Sequence, residues 1–265
     1  GSTDTDWDTA GNWNTTGVTD RVPTDADDVI IPDTSALNNP TLGADGNVKS
    51  LTAQANSTIS GMGWDIIVHG EGDGSGGTAD YAVNLDGIIS GNLDLDIRTA
   101  GTTQVDLVPS SGTIRNLTIN QASNTVRFVG STTLTGDLTI TAGTFKNNGS
   151  SDTLTVTGDV SVTGTLTCDD SQAYTFGSLT IASGGTYNAT SGTTTITGEA
   201  SSYALKNDGT FTHNNGLVVF DFAAHTLVKN NTFYDLELNM DASSWELAFS
   251  DTSGNAVDIL GDLTI

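Results

Sequence analysis

Residues 136–157 read GDLTITAGTFKNNGSSDTLTVT, and the fold turns on this stretch. Leu138 and Ile140 flank Thr139. Gly143 follows, and then Phe145 stands between Thr144 and Lys146. Asn147-Asn148-Gly149 interrupts the pattern. Leu154 and Val156 then alternate with Thr153, Thr155 and Thr157. Alternation with period two, bounded by Gly and Asn, predicts short strands joined by tight turns. Three such strands in one short segment fit one coil of a three-sided solenoid. Successive coils would stack at the inter-strand spacing of about 4.8 Å.

The same words recur along the chain, and repeats of this kind signal a solenoid. Leu93, Leu117, Leu138, Val160 and Leu179 each open an apolar-polar-apolar triplet, at steps of 24, 21, 22 and 19 residues. Related words start at Leu51, Leu236 and Leu263. A second word, Gly-Thr followed by an apolar residue, sits at Gly143, Gly164, Gly185 and Gly209, with steps of 21, 21 and 24. Two independent words with one period predict rungs of about 21 residues. Leu117, Leu138, Val160 and Leu179 should form one interior column, and Phe145, Leu166, Tyr187 and Phe211 another. Outside, Thr118, Thr139 and Thr180 should share a column with Asp94, Ser161 and Glu237. Thr144, Thr165, Thr186 and Thr210 should make a second outward row. A meandering β-sandwich would space its strands at 8–12 residues without a repeated word of this length.

Residues 1–47 differ. They hold Trp7 and Trp13 and three of the four prolines, Pro23, Pro32 and Pro40. This segment reads as a cap over the first rung, since a solenoid's end otherwise leaves apolar surface and strand edges open. Val29, Ile30 and Ile31 form a plausible first strand. Residues 48–265 read as one continuous run of rungs. Ser243 and Glu246 have capping-box spacing, but Trp245, Leu247 and Phe249 alternate, so a strand is expected there.

The 265 residues include 44 threonines and 31 glycines. Asp supplies 28 of the 32 acidic residues, and eight Lys and Arg leave a net charge of −24. Such a field opposes nucleic acid and anionic membranes. No apolar run reaches the length of a membrane-spanning helix. The apolar residues recur evenly between the acids, unlike the composition of a disordered chain. Cys168 is the one cysteine, so no disulfide forms within the chain. It shares the inward parity of Leu166 and reads as a buried spacer.

The order Trp7-Asp8, Asn12-Trp13, Val22-Pro23-Thr24, Asp27-Asp28-Val29-Ile30-Ile31-Pro32, Pro40-Thr41-Leu42 and Val48-Lys49-Ser50-Leu51-Thr52 resembles the start of β-helical repeat regions in large adhesin-like bacterial surface proteins. Gly209-Thr210-Phe211-Thr212, Thr232-Phe233-Tyr234-Asp235-Leu236 and Gly261-Asp262-Leu263-Thr264-Ile265 resemble repeats from the same regions, which archaeal and phage surface proteins share. The resemblance implies an all-β, single-stranded, right-handed parallel β-helix in an exported, often very long polypeptide at the cell surface. It carries no catalytic residues.

Chemistry is sparse against this background. Calcium takes six to eight oxygens, which carboxylates and turn carbonyls supply. The closest acidic spacing, Asp25, Asp27 and Asp28, is the candidate Ca²⁺ site, with Asp4, Asp6 and Asp8 and the pair Asp94 and Asp96 as weaker ones. Asp is also a favoured turn residue. Asp169-Asp170 is the one carboxylate pair placed as a polysaccharide hydrolase would need it, and it reads more simply as a solvated turn. Arg98, Arg115 and Arg127 form no column for a lyase. His69, His213 and His225 read as surface residues. Trp64 and Trp245 could stack on sugars, and core packing is the expectation. The threonine rows are too often interrupted for ice binding, and Thr is simply a good strand former. The expected function is a non-enzymatic structural or adhesive module, with a carbohydrate-active β-helix as the alternative. Expected partners are a glycan or surface ligand and a second copy docked end to end through the C-terminal rung.

Overall fold

The computed structural model describes residues 4–14, 20–33, 39–70, 81–85, 88–90, 92–99, 105–108, 114–147, 149, 151–168, 170–198, 203–221, 226–229, 231–239, 247–249 and 257–265. The chain is an all-β, parallel, stacked-coil β-solenoid of about 7 turns. The helix among the described residues is one 3-10 turn, Ala10–Asn12. Two compact units divide the chain, Gly1–Val129 and Gly130–Ile265.

In the first unit, Asp28–Ile31 is the first strand. It pairs in parallel with Ser50–Ala53, which pairs with Tyr81–Leu85 and then Val105–Val108. Val29, Leu51, Val83, Leu107 and Phe128 follow one another through this ladder, and all are buried. A second ladder carries Ile66, Leu95 and Leu117 beside Val68, Ile97 and Ile119. A third holds Thr58–Ser60 and Ile88–Ser90. Strands thus already lie within residues 1–47. Trp7 is wholly buried there, and its indole lies over Gly46, where an added Cβ would come 3.0 Å from the ring. Bridges Asp6 to Thr41 and Thr41 to Ser60 tie this segment to the third ladder. Trp13 meets Trp7 edge-on at 4.6 Å and donates its indole N–H to the Trp7 carbonyl.

In the second unit, one ladder runs Leu154, Tyr174, Thr194, Val218, Leu236, Leu263. A second runs Leu138, Val160, Leu179, Leu205. A third runs Phe145, Leu166, Tyr187, Phe211. Leu138, Ile140, Phe145, Leu154 and Val156 are all fully buried, and Thr139 is half-exposed, as the alternation requires. The outward row Thr144, Thr165, Thr186, Thr210 has the expected register. Aromatic rings stack between ladders and coils, Phe176 against Tyr187 at 5.9 Å and Tyr187 against Phe211 at 5.7 Å.

The repeated glycines are explained at the corners. A Cβ on Gly164 would lie 2.5 Å from the Gly143 carbonyl oxygen, and one on Gly185 or Gly209 would also strike a backbone carbonyl. Gly158 and Gly177 make the same close approach at another corner. The backbone therefore passes some corners without leaving the ladder. Leu138–Asn147 is a single strand bent at Gly143, with φ 79°, where separate strands and a turn are expected from the sequence. Parallel hydrogen bonding to the next coil continues on both sides of the bend, which keeps the strand whole.

The word at Leu93 does not align with the word at Leu117: Leu117 pairs with Leu95, because the register shifts after Ile114, which takes Leu93. Leu51 belongs with Val29 and Val83, and Leu236 with Val218, on sides of their coils other than the one expected. Outward, Thr139, Ser161 and Thr180 share a row as expected, continued by Lys206, whereas Thr118 faces Asp96 rather than Asp94 and Glu237 faces Val219. The triplet word encodes only inside-outside alternation, and every side of a coil demands that equally. Of the segment from Asp241 to Phe249, Leu247–Phe249 is a strand; Trp245 lies outside the described residues.

Candidate functional site

Asp25, Asp27 and Asp28 do not converge. Asp27 accepts two Arg21 hydrogen bonds at 2.6 Å, and the Thr24 amide and hydroxyl each donate to it at 2.8 Å. The Arg21 guanidinium, with Thr24, holds the Asp27 carboxyl below its usual range. Asp28 opens the first strand, where burial opposes its charge. The Ser50 hydroxyl at 2.7 Å and the Lys49 ammonium at 3.0 Å outweigh that and lower its pKa. Asp25 is exposed in the intervening turn. Nearby, the Asp6 amide donates to the Asp4 carboxylate and the Asp8 amide to the Asp6 carboxylate. Among the described residues, no group of three or more His, Cys, Asp or Glu is arranged to hold a metal ion.

A second acidic group lies on the outward side of the Ile66–Leu95–Leu117 ladder. Asp65 pairs in register with Asp94, and Ile67 with Asp96. Parallel strands put like charges in adjacent coils, which is unfavourable unless a cation intervenes. The chain supplies two. Arg115 forms a two-pronged bond to Asp94, whose carboxylate also accepts from the Asn116 amide. Arg98 donates to Asp96 at 2.7 and 2.6 Å. Asp94 and Asp96 are each only 6% exposed. Asp65 has no such partner among the described residues. Burial, with the Asp45, Asp94 and Asp96 charges, pushes its pKa up. Two of the arginines expected to form no column, Arg98 and Arg115, are therefore counter-charges for the aspartates.

Trp64 is not core packing. It closes a tight turn, its N–H bonded to the Gly61 carbonyl, and is 43% exposed next to exposed Met62. Met62 and Gly63 both take positive φ, 51° and 89°. That conformation throws the turn outward, away from the ladder. The Arg115 guanidinium also reaches the Gly63 carbonyl, fixing the turn to the charged face.

In the second unit the turns after the Phe145–Leu166–Tyr187–Phe211 ladder enclose an open groove of about 370 Å³. Thr167, Cys168, Asp170, Asn188, Ser191 and Asn214 line it. Asp170 is held firmly: its carbonyl accepts from the Ser191 amide at 3.1 Å and the Thr190 hydroxyl at 2.8 Å, and Asn147 reaches its carboxylate at 3.3 Å. Asn214, in a left-handed conformation at φ 48°, donates to the Ala189 carbonyl at 2.7 Å. Cys168 is buried, as its parity requires. The nearby phenols of Tyr174 and Tyr187 are both pushed up by burial, out of the range of acid-base chemistry. Asp169 lies outside the described residues, as does His225; His213 stacks on Tyr234 and His69 bonds Asn47. Sequence reasoning had reached Asp170 only as half of an acidic pair. It missed the groove, because Asn188, Ser191 and Asn214 come from turns one and two coils away from Asp170.

No protein-family model matches the chain, and no curated protein or solved structure matches it.

Proposed function

We propose that this chain is a non-enzymatic structural module of an exported surface protein, a stiff spacer that presents other parts. One observation carries the reading. In the second unit one ladder keeps parallel pairing through successive coils from Thr132 to Thr264, and two more accompany it as far as Phe249 and Thr212, with mostly apolar columns inside. Backbone bonds between coils are then loaded together rather than one at a time. The outward positions beside them are mostly threonine, which adds pairing between coils and little chemistry. The resemblance of the sequence words to adhesin-like repeats points the same way.

Single-molecule pulling tests it. The expected record shows high-force events that release chain in steps of about one coil, roughly 70 Å for a 21-residue rung. Extension of the whole chain at forces that merely straighten an unfolded polypeptide would remove the reading. Turnover of a polysaccharide that Asp170→Asn abolishes would replace it with a hydrolytic one.

The reading includes end-to-end contact between copies. Leu263–Thr264 pairs in parallel with Leu236 and Glu237, and parallel pairing of this kind between coils is the contact a second copy would extend. Sedimentation should show concentration-dependent growth that Leu263→Lys suppresses.

A further inference from the structure

We infer that the groove of the second unit binds a neutral sugar, one ring of a free or chain-terminal saccharide. Its volume, about 370 Å³, lies at the small end of ligand sites, which run from roughly 300 to 1,000 Å³. Its walls sort the ligand classes. The lining is mostly polar, with Cys168 the exception, so an apolar ligand gains little there. An anionic sugar would meet Asp170 within a chain of net charge −24. A calcium ion would find one carboxylate among the described lining residues, short of the oxygens it needs.

The groups present suit vicinal hydroxyls. Asp170 and Asn214 are pinned by the bonds described above, so little order is lost when they engage a ligand. Thr167, Asn188 and Ser191 have no side-chain partner among the described residues, and none is charged. A hydroxyl, a carboxamide, a second hydroxyl and a carboxylate offer donors and acceptors at the spacing of one or two coils. Thr167 and Asn188 are register partners on adjacent strands, which fixes that spacing. No aromatic ring is among the described lining residues, so recognition rests on hydrogen bonds and affinity should be millimolar. The inference does not rest on the structural reading: a chain that yields at low force can still bind a sugar, and a stiff one can fail to.

The test is a ¹⁵N NMR titration of the whole chain with glucose, galactose, mannose, N-acetylglucosamine and glucuronate. At least one neutral sugar should give saturable shifts confined to the amides of Cys168, Asn188, Ser191 and Asn214. Glucuronate should bind at least fivefold more weakly than the matching neutral sugar. Asn188→Ala and the near-isosteric Thr167→Val should each weaken binding fivefold or more, with the remaining spectrum unchanged; the second variant covers the first if that fails to fold. A disaccharide of the same sugar that binds equally well marks a chain terminus as ligand, and one that is excluded marks the free sugar. No saturable shift with any neutral sugar, or equal shifts in both variants, overturns the inference.

Discussion

In the first unit, the residue between the inward Leu95 and Ile97 is Asp96; in the second unit, the residue between Leu138 and Ile140 is Thr139. Each sits on the outward side of a parallel ladder, Thr139 one coil from Ser161, and Asp96 beside Asp94, which itself stands one coil from Asp65. Thr139 meets Ser161 and then Thr180, and these need no counter-charge. Asp65 and Asp94 stand in register and need Arg115, while Asp96 needs Arg98. Stacking repeats every outward residue's neighbourhood, so a solenoid multiplies a good choice and a bad one alike. Threonine is the choice that repeats safely. Aspartate repeats only where the chain also spends an arginine.

The comparison breaks most severely inside the second unit. Leu138→Asp places an unpaired charge in a dry column and should cost more than about 4 kcal/mol, read as a collapsed urea midpoint, whereas Thr139→Val should move it little. Next comes the first unit's counter-charge. Arg115→Met strands the buried Asp94 carboxylate and should cost about 2–4 kcal/mol. Adding Asp94→Asn should recover most of that, and a double-mutant cycle with no coupling would show that the pair does not hold the face. A corner glycine should cost somewhat less: Gly164→Ala drives a methyl against the Gly143 carbonyl, for about 1–3 kcal/mol by chemical denaturation.

The smallest effect sharpens the contrast by its sign. The Asp65 pKa is raised above its ordinary 3.8, so the fold disfavours its charged form. Its contribution is present in full below pH 3.8 and is lost as pH rises through the folded value. Asp65→Asn should therefore raise the neutral-pH melting temperature by about 1–2 °C, and the gain should vanish in acid. Asp27 has the opposite sign, its Arg21 pair stabilising above pH 3.8 and failing as pH falls below it.

The second unit was the more legible because its words recur. The spacing of Gly143, Gly164, Gly185 and Gly209 fixes the register of Phe145 through Phe211, and the structure keeps it. Which side Leu51, Leu93 or Leu236 occupies was not legible, since the alternation is the same on all sides and insertions shift the count. The Asp94–Arg115 pair did leave a signal: the two lie 21 residues apart, one rung, so opposite charges at the rung period are a usable sign. The groove left none, because turn residues such as Asp170, Ser191 and Asn214 carry no periodic pattern.

The steps between ladder partners also bear on how the second unit is made. Val160 finds Leu138, and Leu179 finds Val160, each about one rung back. No partner in that ladder waits for a distant part of the chain, so loop closure costs roughly the same at each addition. A chain emerging end-first can lay each coil on the one just finished, as a rope is coiled on deck, and every coil laid down resists slipping back.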